Sequence, residues 1–119
     1  MPRIVDMKYV SKPWGSELIV ARTDKYALKE IVLRKDNRSS LQSHAVKMET
    51  ILVLEGEIDL ELWDADGVCT KEVYRKGGAY TVPPGTRHRV TAREDCRLIE
   101  VSTPELEDVI RHQDDFGRS

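Results

Sequence analysis

Turn signals cut this chain into short β-prone runs about every eight to twelve residues, a rhythm that points to an all-β sandwich or barrel. The clearest run is Glu57–Trp63, where Ile58, Leu60 and Leu62 alternate with Glu57, Asp59 and Glu61. That period of two belongs to a strand with one buried and one wet face. Glu49 to Leu54 precedes it across Glu55-Gly56, a tight hairpin in which glycine takes positive φ. Further strands are expected over residues 17–22, 26–34, 39–44, 68–74, 79–82, 87–92 and 97–102, about nine in all. Residues 1–16 read as an irregular arm, with Lys12-Pro13-Trp14-Gly15 a fixed turn whose indole packs as a structural plug. Only the end reads as helical. Ser102 or Thr103 can cap, Pro104 suits the first helical position, and Leu106, Val109 and Ile110 give an apolar side. A short C-terminal helix is therefore expected, followed by a tail over residues 114–118 that is exposed or docked.

At 119 residues the chain is expected to form one domain over 1–119, enough for one core. Acids and bases are interspersed and the net charge is −2, so no basic stripe points to nucleic acid. No apolar run approaches a membrane span. The start, MPRIVDMKYV, lacks the apolar core of a secretory signal, and Cys69 and Cys96 are two separated cysteines rather than a framework. Both read as reduced thiols, and a cytoplasmic location is expected.

The residues that carry chemistry cluster in two stretches. In Leu41 to Gly56, Gln42 and His44 are two apart and share a strand face, while Glu49 opens the next strand. In Gly77 to Arg89, His88 follows a rigid Pro83-Pro84-Gly85 turn. Two histidines, a carboxylate and an amide converging in a small β fold suit a divalent first-row metal: zinc, manganese, iron or nickel. A set without thiolate disfavours a structural cysteine-type zinc site.

These residues bring the chain into resemblance with the cupins. Glu49 and Gly56 match the end of the first cupin motif, and Gly77, Pro83, Gly85 and His88 match the second position for position. Within the cupins it resembles the mannose-6-phosphate isomerase type, through Lys12-Pro13-Trp14-Gly15, Leu41-Gln42-x-His44, and a tail running from Asp108 and Arg111 to Asp114-Asp115-Phe116-Gly117-Arg118. The resemblance spans about Lys12 to Arg118. It implies an all-β, single-domain cupin double-stranded β-helix (a jelly-roll barrel) and a metal held by Gln42, His44, Glu49 and His88. Val46 stands where the general motif carries a further histidine, and the isomerase-type glutamine, here Gln42, offers a replacement ligand. Histidine at position 46 would strengthen the site only if that position faces inward.

Each candidate has a plainer alternative. Gln42 is either a ligand or a hydrogen-bond partner of Glu49. Lys29 is either near substrate or solvated, since Lys29 and Glu30 face opposite ways. Arg111 either meets a phosphate or is an exposed helix arginine paired with Asp108 or Asp115. His112 reads as surface. Lys29, Tyr80 and Glu100 are the candidate substrate and proton-transfer groups, with no general base singled out. Three function classes follow: a metal-dependent sugar or sugar-phosphate isomerase, a cupin dioxygenase, and a non-catalytic sugar-binding module. A homodimer is expected, with the 1–16 arm in its interface.

Overall fold

The computed structural model describes residues 2–119, and among these it contains eleven strands and no helix. They are β1 (Lys8–Lys12), β2 (Gly15–Arg22), β3 (Ala27–Leu33), β4 (Leu41–Ser43), β5 (Glu49–Glu55), β6 (Glu57–Trp63), β7 (Cys69–Arg75), β8 (Ala79–Val82), β9 (Arg87–Ala92), β10 (Cys96–Ser102) and β11 (Ile110–Gln113). One sheet runs β1-β2-β3-β10-β5-β8 and the other β11-β4-β9-β6-β7. From β3 onward nearly every connection passes to the opposite sheet, which is the jelly-roll topology, and the pairings are antiparallel.

Alternation decides what enters the barrel. β3 buries Ala27, Lys29, Ile31 and Leu33; β5 buries Glu49, Ile51 and Val53; β10 buries Cys96, Leu98, Glu100 and Ser102. The interior therefore has two characters. Leu33, Val53, Ile58, Leu60, Ala92 and Leu98 form an apolar core, each large side chain contributing about 1.5–3 kcal/mol on burial. Lys29, Glu49, His88 and Glu100 make the other end polar. Register brings these together: Glu100 lies opposite Lys29, Ser102 opposite Glu49, and Gln42 opposite His88.

Both termini depart from the sequence expectation. Residues 8–12 are not irregular, because β1 and β2 form a hairpin in which Lys12 faces Gly15 across Pro13-Trp14. Gly15 is required there, since a Cβ would lie 1.9 Å from the Val32 carbonyl oxygen. Trp14 is buried against the core, where its indole acts as a plug. The C-terminal helix is absent. Residues 104–109 instead make tight turns, with the amide of Leu106 donating to the Pro104 carbonyl and that of Asp108 to the Glu105 carbonyl. Ile110–Gln113 then pairs with β4. A helix of one or two turns nucleates poorly, whereas an open strand edge supplies partners at once. The tail beyond is docked by the Arg38–Asp115 ion pair, and an Arg118–Asp114 pair closes it on itself. Cys69 and Cys96 are both free, and no helix among the described residues is long and apolar enough to cross a membrane.

Candidate metal centre

A cavity of about 280 Å³ opens at the polar end of the barrel, and all eight candidates from the sequence line it: Gln42, His44, Glu49 and His88, with Lys29, Tyr80, Glu100 and Arg111. At its floor three acceptors meet. Glu49 Oε1 lies 2.9 Å from His88 Nε2 and 3.3 Å from His44 Nε2, and all three side chains are buried. The tautomers follow from the far side of each ring. His44 Nδ1 donates to the Asp108 carbonyl at 2.6 Å and His88 Nδ1 to the Thr86 carbonyl at 3.0 Å. A neutral ring so tied presents a lone pair at Nε2, here toward a carboxylate oxygen that also only accepts. Such a meeting of lone pairs requires a cation, either protons on the rings or a metal ion. His88 Nε2, although 2.9 Å from Glu49 Oε1, does not approach it along the line of a well-formed hydrogen bond, so a shared proton would sit poorly between them.

The separations fit a metal. Ligand atoms about 2.1 Å from one ion lie roughly 3.0–3.4 Å apart for angles near 90–110°. His44, Glu49 and His88 thus form a cluster that can hold a metal ion. The donor set of imidazole and carboxylate suits first-row divalent ions. Gln42 lines the same space beside His88, and its Oε1 accepts from the Ser40 hydroxyl at 2.7 Å, leaving a second lone pair free.

Around the floor the charges alternate. Glu17 contacts Lys29 at 3.2 Å, Lys29 contacts Glu100 at 3.5 Å, Glu100 contacts Lys47 at 3.2 Å, and Lys47 contacts Glu49 at 3.4 Å. Burial disfavours charge on Glu49, but its contacts with His44, His88 and Lys47 outweigh this and hold it well below the usual carboxylate range. Burial and then the neighbouring Glu49 charge push the Glu100 carboxyl up to about 7. Burial, with Glu49 and Glu100 nearby, raises the Tyr80 phenol well above its ordinary value, so it remains a phenol rather than a base.

Several expectations change on this geometry. Lys29 is buried and ion-paired, not solvated. Arg111 lies on a strand, not a helix, and donates to the Ser119 carbonyl oxygen instead of pairing with Asp108 or Asp115. Its Nε is buried without a partner. His112 is exposed, yet its Nε2 lies 2.9 Å from the Ser43 hydroxyl oxygen. Val46 is 61% exposed and does not face the cavity. The residue that enters is Lys47, which sequence reasoning missed because it sits in a turn with no period to read. Asp108 was missed as well. Its carboxylate accepts from the backbone amides of Ala45, Val46 and Lys47.

The chain belongs to the cupin family: a family model described as a cupin domain matches residues 30–102, more than half of its length. Solved structures share this architecture. The capsular polysaccharide assembling protein CapF from Staphylococcus aureus superposes with a TM-score of 0.78 at 15% identity, over 92% of this chain and 35% of that one. KdgF from Halomonas sp. gives 0.72 at 23% identity, over 87% and 89%. A single-substitution variant of oxalate decarboxylase from Bacillus subtilis gives 0.82 at 15% identity, over 96% and 32%. The chain thus spans about a third of CapF and of the decarboxylase but most of KdgF. These likenesses establish the cupin jelly roll. No curated protein sequence matches the chain.

Proposed function

We propose that this cupin is a metal-dependent isomerase of the mannose-6-phosphate isomerase type, acting on a small sugar or sugar phosphate. The observation that carries the reading is the convergence of His44 Nε2, His88 Nε2 and Glu49 Oε1, with Gln42 beside them, on the floor of an open cavity lined by both charged and apolar side chains. Gln42, His44, Glu49 and His88 would hold the ion. Bound there, a divalent ion supplies Lewis acidity to a substrate carbonyl and its neighbouring hydroxyl. Glu100, buried on the same wall, is the carboxylate placed to take a proton from the carbon beside the carbonyl and return it to the adjacent carbon. Lys29 holds Glu100 in place, and Tyr80 remains protonated and serves as a donor. Arg111, with its unpartnered Nε, suits an anionic group on the substrate.

The test begins with elemental analysis of protein purified without chelator. Mannose 6-phosphate, fructose 6-phosphate and related phosphosugars are then screened with zinc, manganese, iron(II) and nickel. Aldose–ketose interconversion is expected, and Glu100→Gln should lower kcat by about 100-fold or more while metal content is unchanged. Saturable sugar-phosphate binding without turnover under every metal would leave a sugar-binding module. Oxygen uptake by the iron form would assign a dioxygenase instead. We also infer a homodimer of cytoplasmic protein that binds neither nucleic acid nor membrane, in keeping with the mixed charge of the chain.

A further inference from the structure

We propose that Lys47 sets how Glu49 binds the metal: its ammonium keeps one carboxylate oxygen out of the coordination shell, so that the ion is held by a single Glu49 oxygen and retains open positions for substrate. The inference rests on the metal-centre reading above and adds a positioning residue outside the ligand set.

The two oxygens of Glu49 face different groups. Oε1 meets the imidazole nitrogens at 2.9 and 3.3 Å, while Oε2 meets Lys47 Nζ at 3.4 Å. Lys47 is only 3% exposed, and a buried ammonium persists only where it is paired. It has two partners, since Nζ also lies 3.2 Å from Glu100 Oε2. Its entry into the barrel is fixed by the backbone. The Asp108 carboxylate takes the amides of Ala45, Val46 and Lys47 together, and the turn so held sends Val46 outward and Lys47 inward.

This arrangement makes an unusual second neighbour for a ligand. Partners of metal-bound groups are ordinarily acceptors or neutral donors that orient the ligand and raise affinity, and losing one weakens binding about 10–100-fold. Lys47 is a cation beside a cation site. It competes with the ion for the charge of Glu49, and a two-oxygen grip by Glu49 requires Oε2 to leave Nζ. The expected sign is therefore the reverse of the ordinary case. Removing the ammonium tightens metal binding and raises the number of protein oxygens bound, at the expense of positions that a substrate's oxygens need.

The experiment uses the full chain freed of metal, with cobalt(II) as the probe. Affinity is measured by competition with a chromophoric chelator, and coordination by the visible d–d absorption. Lys47→Met should bind cobalt(II) about tenfold tighter or more, with a d–d band altered from that of the parent as the second carboxylate oxygen joins the ligands. Lys47→Arg keeps the cation and should retain the parent spectrum, with an affinity within about threefold of the parent. Lys47→Met takes the only ammonium from Glu49 and leaves Glu100 with Lys29 alone, so Lys47→Met/Glu100→Gln, which removes one charge of each sign, guards against loss of fold. It too should bind more tightly than the parent. If both methionine variants bind cobalt(II) no more tightly than the parent and keep its spectrum, Lys47 is only a structural counter-ion and the proposal is overturned. A parent chain that binds no cobalt(II) overturns the metal-centre reading itself, and this inference with it.

Discussion

His44 and Asp108 are joined across 64 positions of sequence: the imidazole Nδ1–H donates to the Asp108 carbonyl oxygen at 2.6 Å. The Asp108 side chain then takes the amides of the three residues after His44. One tail residue thus fixes both the tautomer of a candidate ligand and the turn that leads to the next one. A ring held from behind in this way keeps its Nε2 aimed at the ion without having to be ordered on binding.

Asp108→Ala keeps the backbone carbonyl that orients His44 and removes only the carboxylate that holds the 45–47 turn, so metal binding should change by no more than about tenfold, measured by chelator competition, while circular dichroism still reports the strands. The pH dependence has a definite sign. Contacts from the Lys47, Val46 and Ala45 amides hold the Asp108 carboxyl below its ordinary value of 3.8. Its contribution to stability is fully present above that value and is lost as pH falls through the lower folded-state value. Urea midpoints of parent and Asp108→Asn should converge only below about pH 4, and convergence already at pH 6 would contradict this.

The ligands should separate into strong and weak. His44→Ala, Glu49→Ala and His88→Ala each remove a member of a cluster in which Glu49 Oε1 meets both imidazole nitrogens within 3.3 Å, and each should lose stoichiometric metal on purification. Gln42→Ala should weaken binding by about tenfold or less, because water can take the place of an amide oxygen. Retention of stoichiometric metal by both histidine variants would return the barrel floor to an ordinary polar core. Val46→His should leave affinity unchanged, since that position faces solvent.

A hairpin glycine and a core leucine test the fold apart from the site. A Cβ at Gly56, where φ is +88°, would lie 2.6 Å from both the Asp95 carbonyl oxygen and the Cys96 sulfur. Gly56→Ala should cost about 1–3 kcal/mol through strain and the positive φ, read as a lower urea midpoint at constant slope. Leu60→Ala, a truncation in the apolar end, should cost about 2–5 kcal/mol. Neither change should alter metal stoichiometry, because both lie away from the ligands.

The sequence was most legible where a period could be read. Lys29 shares its inward face with Ile31 and Leu33, Glu49 with Ile51 and Val53, and Glu100 with Leu98, so alternation groups each polar residue with its apolar neighbours, and for Lys29 the structure decides which of the two faces enters the barrel. The motif spacings of Glu49–Gly56 and Gly77–His88 add the ligands. Lys47 and Asp108 were opaque because each acts from a turn, where no repeat says which way a side chain points. β11 was opaque for another reason. Pro104 and the apolar spacing of Leu106, Val109 and Ile110 satisfy a helix template locally, and only the open edge of β4 makes a strand of Ile110–Gln113.

Assembly gives the last prediction. β1 is the outer strand of its sheet, so its free edge offers unpaired backbone groups. Ahead of it residues 2–7 form no strand, and Ile4 is 98% exposed, with Val5, Met7 and Tyr9 exposed as well. On the same sheet Leu52 and Val101 present apolar side chains outward. An exposed apolar segment, and exposed apolar side chains on the outer face of the sheet that β1 belongs to, suit a two-fold arrangement in which each arm covers that face of the other copy. Light scattering at micromolar concentration should give the mass of a dimer for the full chain. Removing residues 1–7 should shift it toward the monomer, and Leu52→Lys/Val101→Lys should do the same with the arm intact. A monomer mass for the full chain would dismiss the arrangement. A dimer that survived both changes would place the contact on another surface.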